Sequence, residues 1–349
     1  MTDNDYLWLA VACVFALVAS ELICRFALSL GTRFRLMDEP VEDRKIHTRP
    51  TPLVGGLVLL AVFVPILPMI MVLYEPPGTG NRTMTIVAVC TLVCAMLGMA
   101  DDRHSLSARV RLWATVLLFA SAIALDPRFL IGAFYFTGMA PIVLPFWAAW
   151  VFTLLVMIGF LNAVNMADGK NGLVISMSLY WALALSLAGP QGLVIIMLPL
   201  AVMLFVLLAH NMFSRLFLGD GGAYGLACLF VMLSVLSYNV TPGALTADMM
   251  TLFFIIPGID MVRLFVQRIA KGRSPTQGDR DHLHHYIYAM VGWPFGLIIY
   301  LTLMAVPGLI AISDPALAPY ALAASLIAYA AILLAAGLGR NRAQMAAQD

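Results

Sequence analysis

Along the chain, long apolar runs alternate with short polar connections. Eleven such runs occur, over residues 6–30, 53–73, 83–100, 110–125, 144–162, 172–188, 191–209, 222–240, 248–270, 294–312 and 317–338. Runs of about 20 apolar residues cross a hydrocarbon core of ~30 Å as helices, because lipid offers backbone amides no partner and only internally bonded segments persist there. The pattern predicts an all-α integral membrane protein of about eleven transmembrane helices whose chemistry sits in the loops. The longest polar stretches are 31–51, 101–111, 163–172, 210–221 and 268–292. None suffices for a soluble domain, and no repeat or low-complexity run appears. Residues 1–349 therefore read as a single polytopic membrane domain, ending in a short polar tail at 339–349. Between the fourth and fifth runs, the glycines and aromatics of 126–143 predict a short hairpin.

Composition supports the membrane class. The chain is 62% hydrophobic and 11% charged, with mean hydropathy +0.93, whereas soluble domains carry roughly 25% charge. A nucleic-acid partner is not expected. If the amino terminus lies outside, only Arg82 and Arg128 of the 20 Lys and Arg fall outside, and all 6 histidines fall inside. Basic loops stay cytoplasmic, so this orientation is the expected one. The first run lacks a positive leader and a small-residue cleavage site, and is expected to remain as an anchor. The 5 cysteines are odd in number and sit within the runs, which argues against a disulfide framework.

Several inner loops carry side chains that a plain topology signal does not require. In GMADDR, Asp101 and Asp102 are adjacent carboxylates at a span end. They suit a hard cation such as Mg²⁺, or they are a solvated helix stop. In NAVNMADGKNGL, Asn162, Asn165, Asp168 and Asn171 recur every three residues. That spacing aligns them along one side of a helical end, although Asn, Asp and Gly are also ordinary capping and turn residues. Asp220 stands between glycines in FLGDGG, where the bare backbone admits a phosphate or hydrated cation, or simply turns. The segment GDRDHLHH offers Arg280, His282, His284 and His285. They can donate hydrogen bonds to phosphate oxygens, ligate Zn²⁺, or lie on a plain surface. In EPVEDRKIHTRP, Lys45 belongs to a basic loop that either holds a diphosphate or signals topology. Carboxylates for Mg²⁺ beside bases for phosphate describe a phosphoryl-transfer site at the bilayer surface.

Together, DEPVEDRKIHTRPTPLVGG, GMADDR, NAVNMADGKNGL, FLGDGG and SPTQGDRDHLHH, in this order over roughly residues 30–290, resemble the polyprenyl-phosphate N-acetylhexosamine-1-phosphate transferase family. DRDHLHH and IPGIDMVRLFVQRIAKGRSP are more similar to its N-acetylglucosamine branch than to its muramoyl-pentapeptide branch. The resemblance implies ten or eleven spans, a UDP-sugar donor, an undecaprenyl phosphate acceptor and Mg²⁺, with Mn²⁺ as a substitute. It also implies the bacterial cytoplasmic (inner) membrane, with the active site on the cytosolic side, and admits a homodimer. On it, Asp220 and Asp102 hold the metal, and Asp101 or Asp102 deprotonates or aligns the lipid phosphate. Asn162, Asn165, Asp168 and Asn171 position the nucleotide, while Lys45, Arg280 and His282, His284 and His285 bind phosphate oxygens. Two departures stand out: Asn171 replaces the usual carboxylate of DGxDGL, and Ala223 replaces a small hydroxyl after GDGG. An ion-coupled transporter is the alternative, since Glu21, Arg25, Asp260 and Arg263 lie within spans and intramembrane charges mark cation pathways. An intramembrane aspartyl protease would need a GxGD string, where this chain reads FLGD.

Overall fold

A computed structural model describes residues 3–40, 49–67, 80–190, 192–274 and 281–346. The expected all-α membrane architecture is present. Nine helices among the described residues are long and apolar enough to span a bilayer, and two shorter apolar helices, Gly55–Leu67 and Leu173–Ala188, lie within the apolar runs 53–73 and 172–188. In chain order the helices are α1 (Asp3–Arg25), α2 (Ala27–Phe34), α3 (Gly55–Leu67), α4 (Gly80–His104), α5 (Ala108–Leu125), α6 (Phe146–Ala167) and α7 (Leu173–Ala188). They continue as α8 (Leu193–Met212), α9 (Gly219–Val240), α10 (Ala247–Ala270), α11 (Leu283–Val291), α12 (Phe295–Ser313) and α13 (Ala318–Ala346). Among the described residues, strands are confined to two ladders of two residues each. One pairs β1 (Met37–Asp38) antiparallel with β2 (Thr51–Pro52), and the other is the expected hairpin, β3 (Ala133–Phe134) with β4 (Ile142–Val143). The five cysteines are free thiols.

Packing divides the chain into two compact units, one formed by Met1–Ala133 with Val143–Ala244 and the other by Phe134–Ile142 with Leu245–Asp349. In the first, α9 is apolar on every side and buried almost throughout, as expected of a helix enclosed by others. Small residues let its neighbours approach. A Cβ on Gly98 of α4 would collide with the carbonyl of Asp220, and one on Gly221 would lie 2.5 Å from Met99 Cγ. With Gly225 one turn further on, facing Ala95, this is the small-residue seam by which membrane helices pack without a hydrophobic drive. Trp181 of α7, fully buried, meets Phe160 of α6 and Phe230 of α9 edge-on at 5.1 and 5.4 Å.

In the second unit, α10, α12 and α13 pack together, with the short α11 against α12 and α13. The charges that sequence placed inside spans are paired locally in both units. Glu21 accepts from Arg25 Nε at 2.6 Å and lies 3.0 Å from His210 Nε2, while Asp260 accepts from Arg263 at 2.7 Å.

Candidate active site

In the first unit, three helix ends and one loop meet around a cavity of about 670 Å³. Its walls carry Asp101 and Asp102 from the end of α4, Arg111 from the first turns of α5, Asp220 from the start of α9, and Asp38 and Glu39 from the β1 segment. Pairing of β1 with β2 sets Asp38 opposite Thr51. The strand then continues so that Phe217 N–H donates to the Pro52 carbonyl at 2.9 Å, which ties that loop to the approach of α9. Five carboxylates thus line the cavity with one guanidinium.

Asp101 and Asp102 have separate surroundings although they are neighbours. Asp101, 6% exposed, accepts from Arg111 Nη1, and the same nitrogen lies 4.0 Å from Asp220 Oδ2. Asp102 turns to α9, its Oδ1 accepting from Asp220 N–H at 2.9 Å and its Oδ2 from Gly221 N–H at 3.1 Å. It therefore supplies a carboxylate to the positive end of a helix from another segment. Gly219 makes the approach feasible. Its φ is +71°, and a Cβ there would stand 2.8 Å from Asp102 Oδ2. The Asp220 side chain is about one-third exposed, at 34%.

The expected alignment of Asn162, Asn165, Asp168 and Asn171 stops at Ala167, where α6 ends. Asn162 donates back to the Ile158 carbonyl at 2.8 Å. The Asn165 side-chain oxygen is buried and has no partner among the described residues, an acceptor that an incoming N–H would satisfy. Asp168 is the half-buried residue that follows α6. Burial first, and the charge of Asp102 second, push its pKa from 3.8 up to about 7. Asn171 lies in the turn beyond and donates to Ser214 Oγ at 2.7 Å. Sequence reasoning missed the residue that holds this turn. Buried Asn211, at the end of α8, accepts from Gly172 N–H at 2.5 Å and donates to the Leu216 carbonyl at 3.0 Å.

The histidine group belongs to the second unit. His282 precedes α11, and His284 and His285 lie in its first turn. The rings of His282 and His284 stack at 5.3 Å with 13° between planes, and His284 and His285 are 4.4 Å apart. His282 Nδ1 is 3.1 Å from Asp260 Oδ2. Lys45 and Arg280 lie outside the described residues.

Among the described residues no three His, Cys, Asp or Glu side chains form a ready-made metal cluster. Mg²⁺ does not require one. It usually retains several waters and is held by one or two carboxylates together with substrate phosphates. Asp220, partly exposed, and Asp102, whose oxygens each accept one N–H and keep further lone pairs, are such hard oxygen donors. The residues present fit the ion.

Comparison with known proteins follows the same line. Residues 84–238, which contain Asp101, Asp102, Arg111, Asp168 and Asp220, match the family described as Glycosyl transferase family 4. The probable undecaprenyl-phosphate N-acetylglucosaminyl 1-phosphate transferase of Bacillus subtilis (strain 168) is 22% identical over 307 residues, covering 83% of this chain and 80% of that protein. A decaprenyl-phosphate N-acetylglucosaminephosphotransferase of Mycolicibacterium smegmatis is 26% identical, covering 73% of this chain and 69% of its own length. The undecaprenyl-phosphate alpha-N-acetylglucosaminyl 1-phosphate transferase of Escherichia coli (strain K12) is 27% identical, with 77% and 73% covered.

Proposed function

Since residues 84–238 match glycosyl transferase family 4, we propose that the chain transfers N-acetylglucosamine 1-phosphate from a UDP-sugar to undecaprenyl phosphate. The product is a polyprenyl diphosphate sugar that starts a lipid-linked cell-envelope glycan, and UMP is released. The observation that carries this reading is the cavity where Asp101, Asp102 and Asp220 meet Arg111 at the ends of membrane spans. An acceptor tail can remain in lipid there while its phosphate reaches polar groups. The relatives, named as transferases of this kind, support the same reading and lend none to an ion-coupled transporter.

In the reaction, an oxygen of the lipid phosphate attacks the β-phosphorus of the donor. The bond from that phosphorus to the bridging oxygen breaks, and the electron pair leaves with UMP. Mg²⁺, held by Asp220 with Asp102, would neutralise the donor diphosphate. Arg111 balances the carboxylates that face the incoming phosphates and offers N–H donors to phosphate oxygens. Asp101, fixed by Arg111, aligns the acceptor phosphate. Asp168 and Asn171 receive the nucleotide, and the unsatisfied Asn165 oxygen accepts from its base. His282, His284 and His285 contribute hydrogen bonds to phosphate oxygens that strengthen as charge passes to UMP, with Lys45 and Arg280 as further bases. The setting is the bacterial cytoplasmic membrane, with donor taken from the cytosol.

Purified protein in detergent with Mg²⁺, undecaprenyl phosphate and a panel of radiolabelled UDP-sugars tests the proposal. Labelled lipid and stoichiometric UMP are expected with UDP-N-acetylglucosamine. Absence of labelled lipid with every donor would refute the reaction class. Asp220→Asn is expected to raise the Mg²⁺ concentration needed for half-maximal rate, and full activity of this variant at limiting Mg²⁺ would remove Asp220 from the metal site.

A further inference from the structure

A second buried polar network lies in the unit formed by α10 to α13, around a residue to which the mechanism above gives no task. Asp260 stands in the apolar stretch IPGIDMVRLF of α10 and is 4% exposed. Its Oδ1 accepts from Arg263 Nη2 at 2.7 Å and from Tyr329 Oη at 2.9 Å. The backbone N–H of Leu283 donates to both carboxylate oxygens, at 3.2 and 3.1 Å. Oδ2 also meets Nδ1 of His282 at 3.1 Å. So many donors leave the carboxylate no freedom to rotate.

Two consequences follow for the histidine group. A carboxylate at Nδ1 requires the proton on that nitrogen, so Nε2 of His282 is left as the atom that can take up a proton and, only once it carries one, donate to an anion. The contact to Leu283 N–H also caps α11 from outside. His282 occupies the capping position of that helix but makes no capping bond with its own side chain, so a carboxylate on α10 takes over the task. The first turn, which carries His284 and His285, is thereby fixed as well. Arg263 extends the frame by donating to the Asp281 carbonyl, and Tyr286 closes it by donating to Asp281 Oδ1 at 3.0 Å.

We infer that Asp260 is a positioning residue of the transfer reaction: it sets the tautomer and orientation of His282 and holds the turn that presents His284 and His285. The inference rests on the transferase reading, and the labelled-lipid assay separates the two. A wild-type protein that makes no labelled lipid defeats the transferase reading. A wild-type protein that makes it, beside an Asp260 variant that works equally well, defeats only the positioning role.

The decisive variant is Asp260→Asn, which keeps the shape but can place an N–H where the carboxylate accepted. Expected is a loss in kcat of roughly 10- to 100-fold, the range seen when an outer partner of a functional His is removed. The donor KM should stay within about twofold, since the change acts on the reacting arrangement and not on donor binding. In a His282→Ala background the same substitution should add little, because residues that act as one unit are not additive. If His282→Ala is itself inactive, the split between kcat and KM decides. Should Asp260→Asn fail to fold because Arg263 is left without its carboxylate, Asp260→Asn combined with Arg263→Gln removes both charges and carries the same expectation. An unchanged kcat in a folded variant overturns the inference. So does a rise in KM with kcat kept, multiplication of the two single losses in the double variant, or a His282→Ala protein as active as wild type.

Discussion

Asp168 ties stability to pH in a direction opposite to most salt-bridged carboxylates. Its pKa is raised from 3.8 to about 7, first by burial and then by the charge of Asp102. Between those values the folded protein keeps a proton that the unfolded chain has released, so stability is full below the unfolded pKa and falls as pH rises through the window. At about 1.36 kcal/mol for each pH unit the whole interval is worth at most roughly 4 kcal/mol. Asp168 is half-buried, so solvent screens part of this and a loss of ~1–3 kcal/mol is the realistic expectation. Asp168→Asn has no proton to lose. Thermal unfolding of wild type and variant in EDTA, from pH 4 to pH 8, should therefore give curves that nearly coincide at the acid end and separate by several degrees at pH 8, with the variant above. The same variant should bind the UDP-sugar more weakly, which makes a residue that costs stability at neutral pH one that serves the substrate. A constant difference between the two proteins across the whole range would refute the reasoning, as would a wild type that gains stability from pH 5 to pH 8.

Arg111→Met removes the cation shared by Asp101 and Asp220. Loss of these charge-assisted contacts, ~1–3 kcal/mol, should appear as a rise in donor KM of roughly tenfold, measured from initial rates at saturating Mg²⁺. Gly98→Ala drives a Cβ into the Asp220 backbone, which cannot yield without shifting the start of α9. A destabilisation at or above the top of the ~1–3 kcal/mol range for overpacking is expected in thermal unfolding, with loss of activity in whatever protein remains folded. Asn171→Asp gives up the donation to Ser214 Oγ, but the Ser hydroxyl can rotate and donate in return. The melting temperature should hardly move while donor KM changes, and an unchanged KM would leave Asn171 without a part in donor recognition.

The spans were legible because their signal is one-dimensional: a run of apolar residues either reaches across a bilayer or it does not. The acidic pair and FLGDGG were legible for a related reason, since uncompensated carboxylates at a span end are costly enough to call for an explanation. What sequence could not show is which groups face one another. Arg111 appeared there only as one more inner base, whereas α4 and α5 turn it onto Asp101 and towards Asp220. Asp38 and Glu39 appeared as part of a basic loop, yet pairing of β1 with β2 puts them in the acidic cavity. Asn211 carried no pattern at all, because its two hydrogen bonds run to backbone atoms at Gly172 and Leu216.

The every-third-residue spacing of Asn162 to Asn171 shows the opposite failure. There the pattern was real, but the helix that would have aligned it ends at Ala167, and a Gly at φ +78° begins the next helix at Gly172. A periodicity is informative only as far as its helix lasts. Asp260 marks the same boundary from the other side. A single carboxylate four residues after Ile256 in an apolar run reads as a local pair with Arg263, and that pair is present at 2.7 Å. Yet the bonds to His282 and Leu283 cross more than 20 residues of chain, so its second role exists only once α11 has been brought against α10.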